Sequence, residues 1–381
     1  MEIYLVGGAV RDELLGIPVH EQDWVVVGAT PKELLKQGYR TVGNDFPVFL
    51  HPDTGEEYAL ARTERKSGHG YNGFTFYTSP DVSLEQDLIR RDLTINAIAK
   101  DNNGKLIDPY HGQDDLEKKL LRHISPAFSE DPLRVLRVAR FAAKLNKHGF
   151  RIATETLSTM KQIGSCGELN HLTPERVWQE WDKALTTSNP AVFITSLISC
   201  DALAILSPEL DQYIKNTSSS NQTPLNALDL SAELELSSPI RFASLLAPLG
   251  IAFQGDQTQN ILKKICTQLK TPKTFQDTAL IATILFPALE NINTLTTKEF
   301  LELLEKTDFF RRTERFWDAV KACNCNLNNH QRITAILEEI SRNLDTLNIS
   351  ELVNKGWKGK ELGNAIHEER GRIIEKLLNR D

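Results

Sequence analysis

The run LVGGAVRDELLGIPVHEQD, from Leu5 to Asp23, constrains this chain more than any other segment. It reads as a strand, a Gly-Gly turn and a short helix, followed by two acids, Glu21 and Asp23, two positions apart. Side chains on a strand alternate between faces, so Glu21 and Asp23 are expected on the same side. Two carboxylates aimed at one point can hold the Mg²⁺ that phosphoryl transfer requires. Gly7 and Gly8 leave room for a triphosphate to approach backbone N–H groups where a helix over 9–15 begins. Arg11, in that helix's first turn, adds a cationic donor. A Gly-Gly turn or an E-x-D pair alone carries little weight, because short motifs often match by chance. Found in this order and followed by the hydrophobic strand DWVVVG, they point to a nucleotide-transfer site.

With 381 residues the chain can hold two or three domains with sizeable cores. Apolar runs such as 24–27 and 192–198 are too short to span a bilayer. The strand-like 3–6 leaves no room for a signal peptide. Five cysteines (Cys166, Cys200, Cys266, Cys323 and Cys325) are an odd number without metal-ligand spacing. They read as free thiols in a reducing cytosol, so a cytoplasmic protein with no membrane partner is expected. The net charge of −7 argues against a generally basic surface, and no DNA partner is expected. The charge is uneven, however. Residues 1–120 hold 13 Lys and Arg against 20 Asp and Glu, whereas Arg122 to Arg151 holds seven against two, Glu130 and Asp131. A local basic belt can bind a polyanion while the whole molecule stays acidic.

The first 120 or so residues alternate short strands (3–6, 24–27, 48–50, 58–61) with helices (9–15, 31–37, 84–99), separated by Gly and Asn turn signals. This predicts an α+β domain. After Leu121 the pattern becomes helical and stays so. Asp131-Pro132 is a helix start, with Asp as cap and Pro at the first helical position. Thr173-Pro174-Glu175 opens another helix over 176–185. The stretch 216–224, NTSSSNQTP, reads as a linker or surface loop. A last helix is predicted over 364–379.

Three further segments carry chemistry. The segment 62–76, RTERKSGHGYNGFTF, is either an exposed hairpin loop or a flap over a nucleotide. In RRDLTINA, Arg90 and Arg91 would point about 100° apart on a helix, so that one can face a phosphate while the other binds Asp92 or the chain. The sharpest inference concerns EDPLRVLRVARFAAK. On its helix Arg134, Arg137, Arg140 and Lys144 share about a third of the circumference, and apolar residues cover most of the rest. A basic stripe on so apolar a helix reads as the lining of a cleft that receives phosphates or bases. Asp131 and Arg134 can converge on one base. An accepting carboxylate beside a donating guanidinium matches the Watson–Crick edges of cytosine and adenine and opposes those of uracil and guanine. Each mismatch would bury an unmatched polar group, at about 1–3 kcal/mol. Asp131 serving only as helix cap is the competing reading.

These residues together resemble the class II tRNA nucleotidyltransferases, the bacterial CCA-adding enzymes. The resemblance runs over 1–180, through LVGGAVRD with the acidic pair, ARTERKSGHGYNGF, RRDLTINA, DPYHGQDDLEKKLLR, EDPLRVLRVARFAA and ELNHLTPERVW. The terminal GWKGKELG also resembles the family's tail. The resemblance implies a nucleotidyltransferase palm or head (1–121, mixed sheet with helices), a helical neck with the base-template helix (122–206) and an all-α body and tail (207–381). It implies addition of C, C and A to the 3′ end of tRNA from CTP and ATP, without a nucleic-acid template, with Mg²⁺ and release of pyrophosphate. Glu21 and Asp23 match the Mg²⁺ ligands. Gly8, Arg11, Arg91, Arg137 and Arg140 match the ATP/CTP-binding positions, and Asp131 and Arg134 the protein template for the base. Residues 62–76 match the loop associated with the switch from C to A. Glu57 is a candidate third carboxylate.

Two departures stand out. The family has Asp where this chain has Glu21, whose extra methylene adds about 1.5 Å of reach. Close bacterial relatives also carry a metal-dependent His-Asp phosphohydrolase module. Here the matching segment RFASLLAPLG has Ala247-Pro248 at that dipeptide, and only His330 and His367 follow His171. No phosphatase or phosphodiesterase activity is therefore expected. The rival readings are a poly(A) polymerase of the same family and a catalytically inactive tRNA-binding protein.

Overall fold

The computed structural model of this chain describes residues 1–42, 48–66, 74–217, 224–253 and 255–378. It divides into two compact units, Met1–Pro208 and Glu209–Asp381.

The first unit is built on a seven-stranded sheet of β1 (Glu2–Val6), β2 (Asp23–Val27), β3 (Arg40–Val42), β4 (Val48–Leu50), β5 (Glu57–Leu60), β8 (Ala99–Lys100) and β9 (Leu106–Ile107), in the order β3-β4-β5-β2-β1-β8-β9. β2 runs antiparallel to β1 and parallel to β5, so the sheet is mixed. Alternation along DWVVV sets its two faces. Val25 packs with Val6, Ala99, Leu84 and Leu88 on one side. Val26 packs with Phe49, Tyr58, Leu60 and Leu34 on the other. Each fully buried aliphatic or aromatic side chain there contributes roughly 1.5–3 kcal/mol. The strands predicted over 3–6, 24–27, 48–50 and 58–61 are all present, within a residue at each end.

Helix α1 (Gly8–Leu14) follows β1 directly, and α2 (Pro31–Lys36) starts from a Thr30/Glu33 capping box with Pro31 in its first turn. Within 62–76, β6 (Arg62–Lys66) pairs antiparallel with β7 (Phe74–Thr78); the segment 67–73 between them, on which the choice between an exposed hairpin loop and a flap falls, lies outside the described residues.

The helix predicted over 84–99 does not form. α3 (Leu84–Leu88) stops after five residues, and Thr94–Asn96 is a single 3₁₀ turn leading into β8. The reason is local. Asp92 Oδ1 accepts the Leu93 N–H at 2.9 Å, and Thr94 N–H goes to the Arg122 carbonyl at 2.9 Å, so both amides leave the helical ladder. α4 (Gly112–Glu117) packs against that turn, with Gly112 so close that a Cβ there would stand 2.3 Å from the Thr94 carbonyl oxygen.

Helices then dominate, interrupted by a small parallel pairing of Leu120–Leu121 with Arg151–Ile152. α5 (Leu133–Leu145) buries Val135, Leu136, Val138 and Ala139. After α6 (Thr154–Ser165), α7 (Pro174–Leu185) and α8 (Pro190–Ser199) both pack against α5. Within the predicted loop 216–224, Thr217 ends one helix and Pro224 begins the next, while 218–223 lie outside the described residues.

The described part of the second unit is helical, centred on Ser238–Leu246, Lys273–Glu290 and Thr313–Asn324. Pro287, inside the second of these, has no N–H to give the Thr283 carbonyl. Gly250 lies directly on that carbonyl, where a Cβ would come within 2.1 Å. The last helix begins at Gly359, five residues earlier than predicted. Among the described residues no helix is long and apolar enough to cross a membrane.

Candidate active site

After β1 ends at Val6, Gly7, with a φ of +72° that favours glycine, turns the chain into α1. The fit is also close, because a Cβ on Gly7 would lie 3.0 Å from Arg91 Nη1 and the guanidinium would have to shift. The Gly7 amide donates to the Ile98 carbonyl at 3.3 Å, and Gly8 and Ala9 face a cavity of about 700 Å³ in the first unit. Gly8, Arg11, Glu21, Asp23, Arg91, Asp131, Arg134, Arg137 and Arg140, all singled out from the sequence, border that one cavity. Among the described residues, ten basic side chains and five acidic ones line it.

Asp23 opens β2, while Glu21 sits just before the strand rather than on it. Both acids are exposed at the cavity. Crowding by the surrounding protein pushes the Asp23 carboxyl above its usual range; the charge of Arg91 opposes that and the charge of Glu21 adds to it. Two mutually repelling oxygen donors of this kind suit a hard divalent cation such as Mg²⁺. Glu57 stands in register beside Asp23 on β5 but does not border the cavity. Among the described residues no group of three or more His, Cys, Asp or Glu forms a metal cluster.

The arginines are held by acids, amides and a ring. Arg11, only 2 % exposed, donates from Nε to Asp12 at 2.8 Å and from Nη1 to Asn96 Oδ1 at 2.6 Å. Lys144 reaches the same Asp12 at 3.2 Å. Arg137 donates to Asp92 and Arg140 to Glu180 of α7, at 2.8 and 2.5 Å. The Phe141 ring lies against Arg11, Arg137 and Arg140, with guanidinium carbons 5.2, 5.8 and 4.5 Å from its centroid. Arg134 donates to the carbonyls of Ala127 and Arg90, at 2.8 and 2.5 Å. Asp131 does act as a cap, because Oδ1 accepts the Leu133 N–H at 3.1 Å, and its Oδ2 accepts from Arg176 at 3.3 Å.

Arg90 and Arg91 lie in the turn after α3, not on a helix, and both pair with Asp87. Asp92 forms its ion pair with Arg137, not with the adjacent Arg90 or Arg91. Burial alone would raise the Asp92 carboxyl; the Arg137 charge and the hydrogen bonds from Asn96 and Arg137 outweigh it and hold the group well below the usual carboxylate range. Asn96, Glu180, Arg176 and Asp87 were not singled out from the sequence. Three of them had a signal: Asn96 is the polar residue of RRDLTINA, and Arg176 and Glu180 belong to the PERVWQE run that opens on a helix-start Thr-Pro.

Residues 3–122 match the family described as Poly A polymerase head domain, and 149–214 the one described as Probable RNA and SrmB- binding site of polymerase A. The multifunctional CCA protein of Legionella pneumophila (strain Paris) is 46% identical, over 99% of this chain and 98% of that protein. The chain belongs to the CCA-adding nucleotidyltransferase family. Solved members share the fold. A CCA-adding enzyme in apo form II superposes with a TM-score of 0.71 at 23% identity, covering 100% of this chain and 89% of that one. The Bacillus stearothermophilus CCA-adding enzyme in complex with CTP gives 0.69 at 24%, covering 98% and 89%. The Thermotoga maritima enzyme complexed with tRNA_CCA gives 0.67 at 22%, covering 99% and 90%.

Proposed function

We propose that this chain adds C, C and A to the 3′ end of tRNA in the cytoplasm, from CTP and ATP and without a nucleic-acid template, releasing pyrophosphate. What carries the reading is the convergence of two carboxylates, a glycine turn and four nucleotide-facing arginines on one cavity of a chain 46% identical to a CCA protein. Glu21 and Asp23 would hold Mg²⁺, which supplies Lewis-acid stabilisation of charge on phosphoryl oxygens. Gly8, Arg11, Arg91, Arg137 and Arg140 bind and orient the nucleotide. Asp131 and Arg134 present an acceptor and a donor to the base, the polarity that suits C and A. The head is 1–121, the neck 122–206 and the body and tail 207–381, with the neck side receiving the tRNA acceptor end largely through phosphate and shape contacts.

In the second unit we read the phosphohydrolase-like segment as inactive. Ala247-Pro248 supplies no metal ligand. Of the two histidines there, His330 faces the Leu327 carbonyl at 3.3 Å and His367 pairs with Glu305 at 2.9 Å.

The test is incorporation of labelled CTP and ATP into tRNA ending before, within and after CCA. The wild type should add each missing residue and stop after A. Asp23→Asn should reduce incorporation by about a thousandfold or more, the scale of losing electrostatic stabilisation at the reacting phosphate. Incorporation of ATP alone would favour a poly(A) polymerase. Binding of tRNA without incorporation, in Mg²⁺ or Mn²⁺, would favour an inactive binding protein.

A further inference from the structure

Asp87 of α3 is fully buried (0 % exposed) and does not border the cavity. Its two oxygens are divided. Oδ1 accepts from Arg90 Nε at 3.0 Å, from Arg90 Nη2 at 2.7 Å and from the backbone N–H of Arg62, the first residue of β6, at 3.3 Å. Oδ2 accepts from Arg91 Nη2 at 3.2 Å. Arg91 has little else to hold it. Its Nε is buried with no hydrogen-bond partner among the described residues, and its Nη1 lies over the Gly7 turn, where a Cβ would come within 3.0 Å. A long guanidinium side chain seated in the cavity wall has to be ordered by something, or nucleotide binding must order it at the expense of affinity.

We propose that Asp87 is the positioning residue for Arg91: its Oδ2 holds the guanidinium over the Gly7 turn, ready for a phosphate, while its Oδ1 anchors the same carboxylate to Arg90 and to the start of β6. This rests on the reading of Arg91 as a nucleotide-binding residue. Asp87 touches no substrate and acts only through the arginine. Its geometry makes the two sides separable. In Asp87→Asn the amide oxygen can keep the Oδ1 partners, while the amide nitrogen puts a donor against the Arg91 donor.

The test is a kinetic cycle of Asp87→Asn, Arg91→Ala and the double variant, with CTP and ATP on tRNA lacking CCA. Asp87→Asn should raise KM for both nucleotides about tenfold, the loss expected of one charge-assisted hydrogen bond, with kcat within about threefold of wild type. The double variant should match Arg91→Ala alone, because the acid has nothing left to position. A merely structural role would lower Tm and leave KM in place, or give additive losses. Either result, in a background where Arg91→Ala itself raises KM, overturns the inference and leaves the nucleotide-binding reading standing. If Arg91→Ala leaves KM unchanged, that reading fails and the inference with it. Should Asp87→Asn not fold, Asp87→Glu keeps the charge and displaces the acceptor by one methylene. It should give the same non-additive rise, and a wild-type KM in it equally overturns the proposal.

Discussion

Arg137 and Asp92 meet through two nitrogens on one oxygen, Nε at 2.8 Å and Nη2 at 2.7 Å from Oδ2, while Oδ1 of the same acid takes the Leu93 N–H and the Asn96 amide, each at 2.9 Å. The contact fastens the middle of α5 to the turn after α3, and it makes stability depend on pH. Asp92 and Asp87 both titrate below their ordinary range in the folded protein. A carboxyl depressed by folding contributes stability above its unfolded value near pH 4, and that contribution is lost as pH falls toward the folded value. Tm of the wild type should therefore drop between pH 5 and pH 3 more steeply than Tm of Asp92→Asn, which has lost one of the two titrations. Parallel curves for the two proteins would contradict the assignment.

Gly112→Ala should destabilise the first unit. The new methyl would stand 2.3 Å from the Thr94 carbonyl oxygen and 2.7 Å from Ile98 Cγ1, and both belong to the buried stretch after Asp92. Overpacking of this kind costs about 1–3 kcal/mol, which lowers Tm by about 2–4 °C per kcal/mol in a unit of this size. Thermal melting checks it, and an unchanged Tm would mean the turn yields freely.

Asn96→Ala removes the acceptor of Arg11 Nη1 and one donor to Asp92. Leaving buried partners short costs about 1–3 kcal/mol. With Arg11 released, KM for CTP and ATP should rise alongside the fall in Tm, and steady-state kinetics on folded protein separates the two effects.

Binding of tRNA should weaken linearly with the logarithm of salt concentration, because the cavity wall is dominated by cations. Lys183 is exposed at its border. Lys183→Ala should lower affinity and reduce the salt slope by about one counterion. Filter binding over a salt series measures both, and an unaltered slope would remove Lys183 from the RNA path.

Supplied with Mg²⁺, Mn²⁺, Ni²⁺ or Co²⁺, the protein should neither open 2′,3′-cyclic nucleotides to the monophosphates nor release phosphate from nucleoside monophosphates. Metal-dependent hydrolysis of either kind that survives Asp23→Asn would show a second active centre that Ala247-Pro248 does not predict.

Four of the seven strands of the first sheet, β1, β2, β4 and β5, were legible because their apolar residues run as strands do, as in DWVVV, whereas β3, β8 and β9, of two or three residues each, are too short to carry a period. The basic face of α5 was legible because a helix of period 3.6 brings Arg134, Arg137 and Arg140 together whatever lies opposite. The segment after Leu88 misled for the same reason in reverse. Leu93, Ile95, Ala97 and Ile98 are all fully buried, so an apolar run enclosed on every side carries no period with which to tell a helix from a turn. The pairing of Asp92 was equally hidden, since its partner lies 45 residues away and adjacency in sequence pointed to Arg90 and Arg91 instead. Glu21 before its strand shows a smaller limit: bordering a common cavity did not require that both acids share a strand.

The fastening of Arg11, Arg91, Arg137 and Arg140 to acids, an amide or a ring within the protein has a consequence for three successive additions at one seat. Conformational freedom is surrendered once, when the chain folds, and is not demanded again by each incoming nucleotide. A guanidinium already seated on a partner need not be ordered afresh at each addition, so a substrate's contacts with it go more fully into affinity.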